Sequence, residues 1–123
     1  VRRLVTATVK KWAQKQKLPD SALLEAIRDI ELGRSAFSLG SGLYKVRIAR
    51  SGQGKRGGYR TLIVYRAEVR AIVIFGYAKT DMDNIEADEL TLFRKLAKDL
   101  LSLSDYDLQR AVDNHVMYEL KDG

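Results

Sequence analysis

The densest chemical signal in this chain is a run of cations without counter-charge. Between Gly33 and Glu68 there is no acidic residue, while Arg34, Lys45, Arg47, Arg50, Lys55, Arg56, Arg60 and Arg66 all occur. Most charge runs are solvated faces that serve solubility. Here the spacing asks for more. In Tyr44-Lys45-Val46-Arg47-Ile48 the alternation of a strand puts Lys45 and Arg47 on one side and Tyr44, Val46 and Ile48 on the other. Arg60 begins the next apolar run, so hairpin pairing converges the three on a patch suited to phosphate. Crowding like charges costs stability, and their company therefore points to a polyanion. The segment from Ser51 to Gly58, with Lys55 and Arg56 among its glycines, offers exposed amides and cations to a nucleic-acid backbone. It lacks the GxxxxGK[ST] order and following helix of a nucleoside-triphosphate loop.

Composition narrows the classes. At 123 residues and 46% hydrophobic, the chain is expected to form one domain over residues 1–123. The net charge of +6 favours nucleic acid or an acidic protein as partner. Without cysteine there is no disulfide framework, thiol nucleophile or thiolate-bound zinc, which fits a reducing cytoplasm. His115 is the one histidine, and HExxH and EF-hand spacings are missing, so neither a metal nor another cofactor is expected. The longest nearly apolar run, Ala71 to Ala78, has the length of a strand, which predicts a soluble cytoplasmic protein without membrane contact.

The elements that must carry the patch follow from periodicity. Val5, Val9, Trp12 and Ala13 make one apolar stripe of a helix over Thr6 to Lys17, with the basic residues between Arg2 and Lys17 on its solvated face. Pro19, Asp20 and Ser21 start a second helix whose apolar positions are Leu23, Leu24, Ile27 and Ile30, stopped by Gly33. These two predict an N-terminal helical hairpin. Strands are expected from Leu43, from Tyr59 to Arg66 and from Val69 to Tyr77 as an antiparallel meander, flanked by a short strand at Ala36 to Leu39. Leu90, Phe93, Leu96, Ala97, Leu100 and Leu101 mark a helix that packs on the sheet, a shorter one begins at Ser104, and Val116 to Leu120 is a brief strand or irregular tail. The expected fold is α+β: a small antiparallel sheet of three to four strands with an N-terminal helical hairpin and C-terminal helices.

Three segments together resemble a known family. Tyr44-Lys45-Val46-Arg47-Ile48-Ala49-Arg50, then Gly54-Lys55-Arg56-Gly57-Gly58-Tyr59-Arg60, then Phe75-Gly76-Tyr77-Ala78-Lys79 with Asp83-Asn84-Ile85 before a Glu89-Leu90 helix, look like the HigB-like branch of the RelE toxins. The likeness spans Leu18 to Leu103. It implies a RelE-like fold and a type II toxin that enters the ribosomal A site and cuts mRNA there. The cut is an attack of the ribose 2′-OH on the adjacent phosphate, without metal, and an adjacent-gene antitoxin, acidic or helix-turn-helix, holds the toxin inactive. By that resemblance Lys45 is the base, favoured by Arg47 and Arg60, which disfavour a third charge beside them. Arg47 and Arg60, with Arg50 beside them, suit the charge of the transition state. Arg50, Lys55, Arg56, Tyr59, Tyr77 and Lys79 are assigned to RNA or ribosome contact, the tyrosines by stacking on bases.

One family feature has no counterpart. RelE relatives often carry an arginine shortly after the last strand, where this chain has Thr80, Asp81 and Met82 after Lys79. His115 and Tyr118 are the tail candidates for the leaving-group acid. Two other readings stay open at this point: a gyrase-poisoning toxin of the same superfamily, and a non-catalytic RNA- or DNA-binding protein that uses the patch only for phosphate contacts.

Overall fold

The computed structural model describes residues 1–50, 54–78 and 85–122, with backbone alone at 50 and 54–57. The chain opens with a strand, β1 (Arg2–Thr6), which was not expected ahead of the first helix. Thr6 then caps the first helix, its hydroxyl accepting from the Val9 N–H at 3.3 Å, and α1 (Ala7–Lys15) follows. Pro19 precedes α2 (Asp20–Glu31), and Gly33, at φ +68°, turns the chain out of it. The strands β2 (Ala36–Gly40), β3 (Leu43–Arg50), β4 (Gly54–Arg66) and β5 (Arg70–Ala78) form an antiparallel meander. Then come α3 (Ala87–Ser102), α4 (Asp105–Asp113) and β6 (Met117–Glu119). Ser104 starts α4 by accepting from the Asp107 N–H at 3.0 Å.

These strands make one mixed sheet of six, in the order β2-β3-β4-β5-β1-β6. The expected sheet of three to four antiparallel strands is corrected on two counts. β1 lies parallel to β5, with Leu4 opposite Ile72 and Val5 opposite Val73, and β6 closes the far edge antiparallel to β1. The first helices do not form a hairpin packed on itself: α1 lies against β5 and α2 against β3. The reason is physical. A five-residue segment whose partner is more than sixty positions away carries no local turn signal, and Val5 happens to continue the apolar spacing of α1. Arg2 and Arg3 therefore leave the solvated helix face assigned to them and pair with Glu119 and Glu31.

A second correction concerns the glycine-rich segment. β4 starts at Gly54 and not at Tyr59, because Arg50 pairs with Gly54 beyond a bulge near Ile48 and the ladder needs only backbone.

Both faces of the sheet are covered. On one face Val5, Val46, Ile63 and Val73 of the sheet pack with Val9 of α1 and Ile27 of α2; on the other Leu4, Leu62, Val64 and Ile72 pack with Ala97 of α3 and Leu108 of α4. Gly76 has to be glycine. A Cβ there would stand 2.4–2.8 Å from the Trp12 ring, which lies flat against the strand on the α1 side. Arg70, 4% exposed, ties β5 to the helical layer by donating to the Leu100 carbonyl (2.9 Å) and to Asp105 (3.1 Å).

Two stability outcomes are expected in urea titrations. Gly76→Ala should lose about 1–3 kcal/mol, because Trp12 must move out of a packed site. Leu4→Ala should lose about 2–5 kcal/mol as a cavity opens in the buried strand.

Candidate active site

Register places the cations in rows across the sheet. Arg47 on β3 stands opposite Arg60 on β4, which stands opposite Tyr77 on β5. In the neighbouring row Phe37, Lys45, Leu62 and Phe75 follow one another from β2 to β5. Cross-strand partners are about 4.5–5.5 Å apart at Cα, and Lys45 is the diagonal neighbour of Arg60. Both rows lie on the face that carries α3, since Leu62 and Phe75 pack into the cluster beneath it. The bulge between Leu62 and Ile63 turns Ile74 and Phe75 together toward that cluster.

The cations differ in depth. Arg47 is exposed and Lys45 half-buried, whereas Arg60 is 7% exposed, with its Nη1 donating to the Tyr59 carbonyl at 3.4 Å. The Lys45 ammonium stands 6.0 Å from the centre of the Phe37 ring, at the outer reach of a cation–π contact. Phe75 links Tyr77 to α3, with ring centres 5.7 Å from Tyr77 and 5.3 Å from Phe93. Aromatic rings thus border the cations on the β2 and β5 sides.

Tyr77 ends the cationic row. It is 5% exposed, and its hydroxyl finds no hydrogen-bond partner among the described residues. Burial raises its pKa above the ordinary 10.0, and Arg60 offsets part of that rise. The hydroxyl is therefore a neutral donor at physiological pH.

The remaining assigned residues are placed as follows. Arg50 opposes Gly54 at the end of the β3–β4 hairpin; the side chains of Arg50, Lys55 and Arg56, and all of Lys79, lie outside the described residues. Tyr59 does not join the cluster. It is buried on the opposite face, edge-on to Trp12 at 5.4 Å and donating to Gln16 at 3.3 Å. Arg34 pairs with Glu25 and Asp29, each at 3.0 Å, and Arg66 sits at the far end of β4 opposite Arg70. His115 and Tyr118 stack on each other at 5.6 Å, with Lys10 4.5 Å over the Tyr118 ring. They belong to the β6 edge, four strand spacings or about 19 Å from β3. The sequence reading missed Phe37, Phe75 and Phe93. Phe37 was within reach, because pairing the expected short strand with β3 sets it beside Lys45.

Among the described residues no group of histidine, aspartate and glutamate is placed to hold a metal ion, and no helix is long and apolar enough to cross a membrane. Fold and site together define a small basic protein whose mixed sheet sets an arginine pair and a lysine on one face. The chain belongs to the RelE toxin family: the family model described as the RelE toxin of the RelE/RelB toxin–antitoxin system matches residues 1–120. It is thus a toxin with an antitoxin partner. No curated protein matches the chain.

The Tyr77 hydroxyl makes a pH-dependent prediction. The folded chain holds this proton to higher pH than the unfolded chain does. Its contribution to stability is whole below pH 10.0 and is lost as pH rises from there through the raised folded value. Tyr77→Phe should equal or exceed the parent by about 1 kcal/mol at pH 7, since it removes an unsatisfied buried group. Its advantage in urea unfolding should widen above pH 10.0.

Proposed function

We propose that this toxin is a ribosome-dependent mRNA endonuclease of the HigB-like branch, acting in the cytoplasm on mRNA in the ribosomal A site. The observation that carries the reading is the direct cross-strand opposition of Arg47 and Arg60 beside Lys45. Two guanidinium groups on one face of the sheet, with an ammonium group diagonal to them, match the oxygens of a phosphate.

The chemistry follows from the rows. Lys45 takes the proton of the ribose 2′-OH, whose oxygen forms a new bond to phosphorus. Arg47 and Arg60 hold the charge that builds on the non-bridging oxygens. The bond from phosphorus to the 5′-oxygen breaks, leaving a 2′,3′-cyclic phosphate and a 5′-hydroxyl. That oxygen takes its proton from solvent, because the Tyr77 hydroxyl is buried with its pKa raised and His115 and Tyr118 lie on the other edge of the sheet. Arg50, Lys55, Arg56 and Lys79 position RNA and ribosome. The antitoxin, of helix-turn-helix type, inhibits by covering the cations.

Primer extension in a purified translation system tests this. The parent chain should cut at A-site codons only when ribosomes are present. Lys45→Ala and Arg60→Ala should each slow cutting about 10²–10³-fold. A folded parent chain that leaves mRNA intact would overturn the assignment in favour of gyrase poisoning or of binding without cleavage.

A further inference from the structure

The layer of α3 and α4 differs in charge from the sheet it covers. From Ala87 to Asp113 it holds six acidic and four basic residues, in a chain whose net charge is +6. Two copies of this chain repel one another through their cationic faces, and on this layer they can meet without that cost.

Helical spacing divides α3 into distinct faces. Phe93, Ala97 and Leu100 enter the core, and Arg94 marks the flank toward β2 by donating through Nε to the Leu39 carbonyl at 2.6 Å. The other flank carries Leu92, Leu96 and Asp99, and Leu103 at the cap continues the line. Leu92 is 68% exposed and Leu96 40%. A single exposed leucine is ordinary. Two of them one turn apart, on a helix whose core face is already filled, form a second apolar stripe that no described residue covers.

Lys95 and Asp99 border that stripe. Both are exposed, and neither pairs with a described residue. Their lysine-first order at i,i+4 is the weaker one for a pair within a helix. Against an antiparallel α3 from a second copy, with the two-fold axis near Ala97, Lys95 of each chain stands opposite Asp99 of the other. The two Leu96 side chains then meet near the axis, and Leu92 faces Leu103. One rotation thus produces two attractive pairs around an apolar centre, so the stripe is complementary to itself.

We propose that this flank of α3 is a self-association surface whose occupant is a second copy of the chain, in an antiparallel two-fold pair. The charge pattern favours that occupant, because a reversed copy presents aspartate to lysine and lysine to aspartate at once. A single pair of 16-residue helices lies at the small end of interface sizes, so the dimer should be transient, with a Kd of about 10–100 µM. The proposal is independent of the nuclease reading, and its test involves no cleavage.

Sedimentation velocity of the full chain over about 1–300 µM, in about 0.1 M salt, is the test. The parent should pass from monomer to dimer across that range. Leu92→Glu should keep the chain monomeric. Lys95→Asp gathers carboxylates at the axis and Asp99→Lys gathers ammonium groups, so each should weaken association more than about tenfold. Mixed in equal amounts, these two variants should regain the dimer, since each then meets opposite charge at both positions. The substituted side chains are exposed, so urea midpoints measured at about 1 µM should match the parent. A parent that stays monomeric throughout, a dimer that survives any of the single variants, or a mixture no better than its components overturns the proposal. A monomeric parent whose Leu92→Glu variant loses affinity for the antitoxin would assign the stripe to that protein instead.

Discussion

The insertion of β1 between β5 and β6 is the constraint on which the rest of the molecule depends. Leu4 and Val5 are adjacent, and both are essentially inaccessible to solvent, because one enters the cluster under α3 and α4 and the other the cluster under α1 and α2. Two successive buried side chains on opposite faces are possible only in a strand covered on both sides. β1 also gives β6 its partner, with the Leu120 N–H donating to Arg3 at 2.9 Å and the Ala7 N–H to Val116 at 3.0 Å. Remove it, and β5 becomes an edge while a three-residue β6 loses every strand it pairs with.

That closure lets the other half of the sheet carry a costly arrangement. β3, β4 and β5 are locked by pairing along their lengths and by a core on either face, so their registers do not slip. Arg47 and Arg60 face each other because Val46 and Thr61, on the other side, are fully buried and fix the phase of both strands. The Thr61 hydroxyl donates to the Val46 carbonyl at 3.0 Å and pins the two strands at that step. Cations carried on rigid strands are held in one fixed geometry.

The aromatic residues show how one sheet separates two jobs. Trp12 and Tyr59 meet edge to face on the α1 side, over Gly76, where they are packing. Phe37, Phe75 and Phe93 lie on the α3 side and border the cations. Tyr59 and Tyr77 look equivalent in sequence, each next to the arginine row, yet cross-strand parity sends their rings to opposite faces. Tyr59 opposes Ile48 and Ala78, while Tyr77 opposes Arg60.

Much of this was readable from residue order, because it depends on local rules. Alternation in Tyr44–Ile48 set Lys45 and Arg47 on one face, helical spacing found α2 and α3, and Ser104 and Gly33 marked a start and a stop. The family motif around Lys45, Arg47 and Arg60 was equally legible, since it lies within one hairpin. What the residues could not show in isolation was pairing between distant segments. The parallel β1–β5 contact has no turn to announce it, and without it neither the six-stranded order nor the distance of His115 and Tyr118 from the cations could be known. The depth of Arg60 and the burial of the Tyr77 hydroxyl were likewise decided only by packing, because burial is set by what folds over a residue and not by its neighbours in the chain.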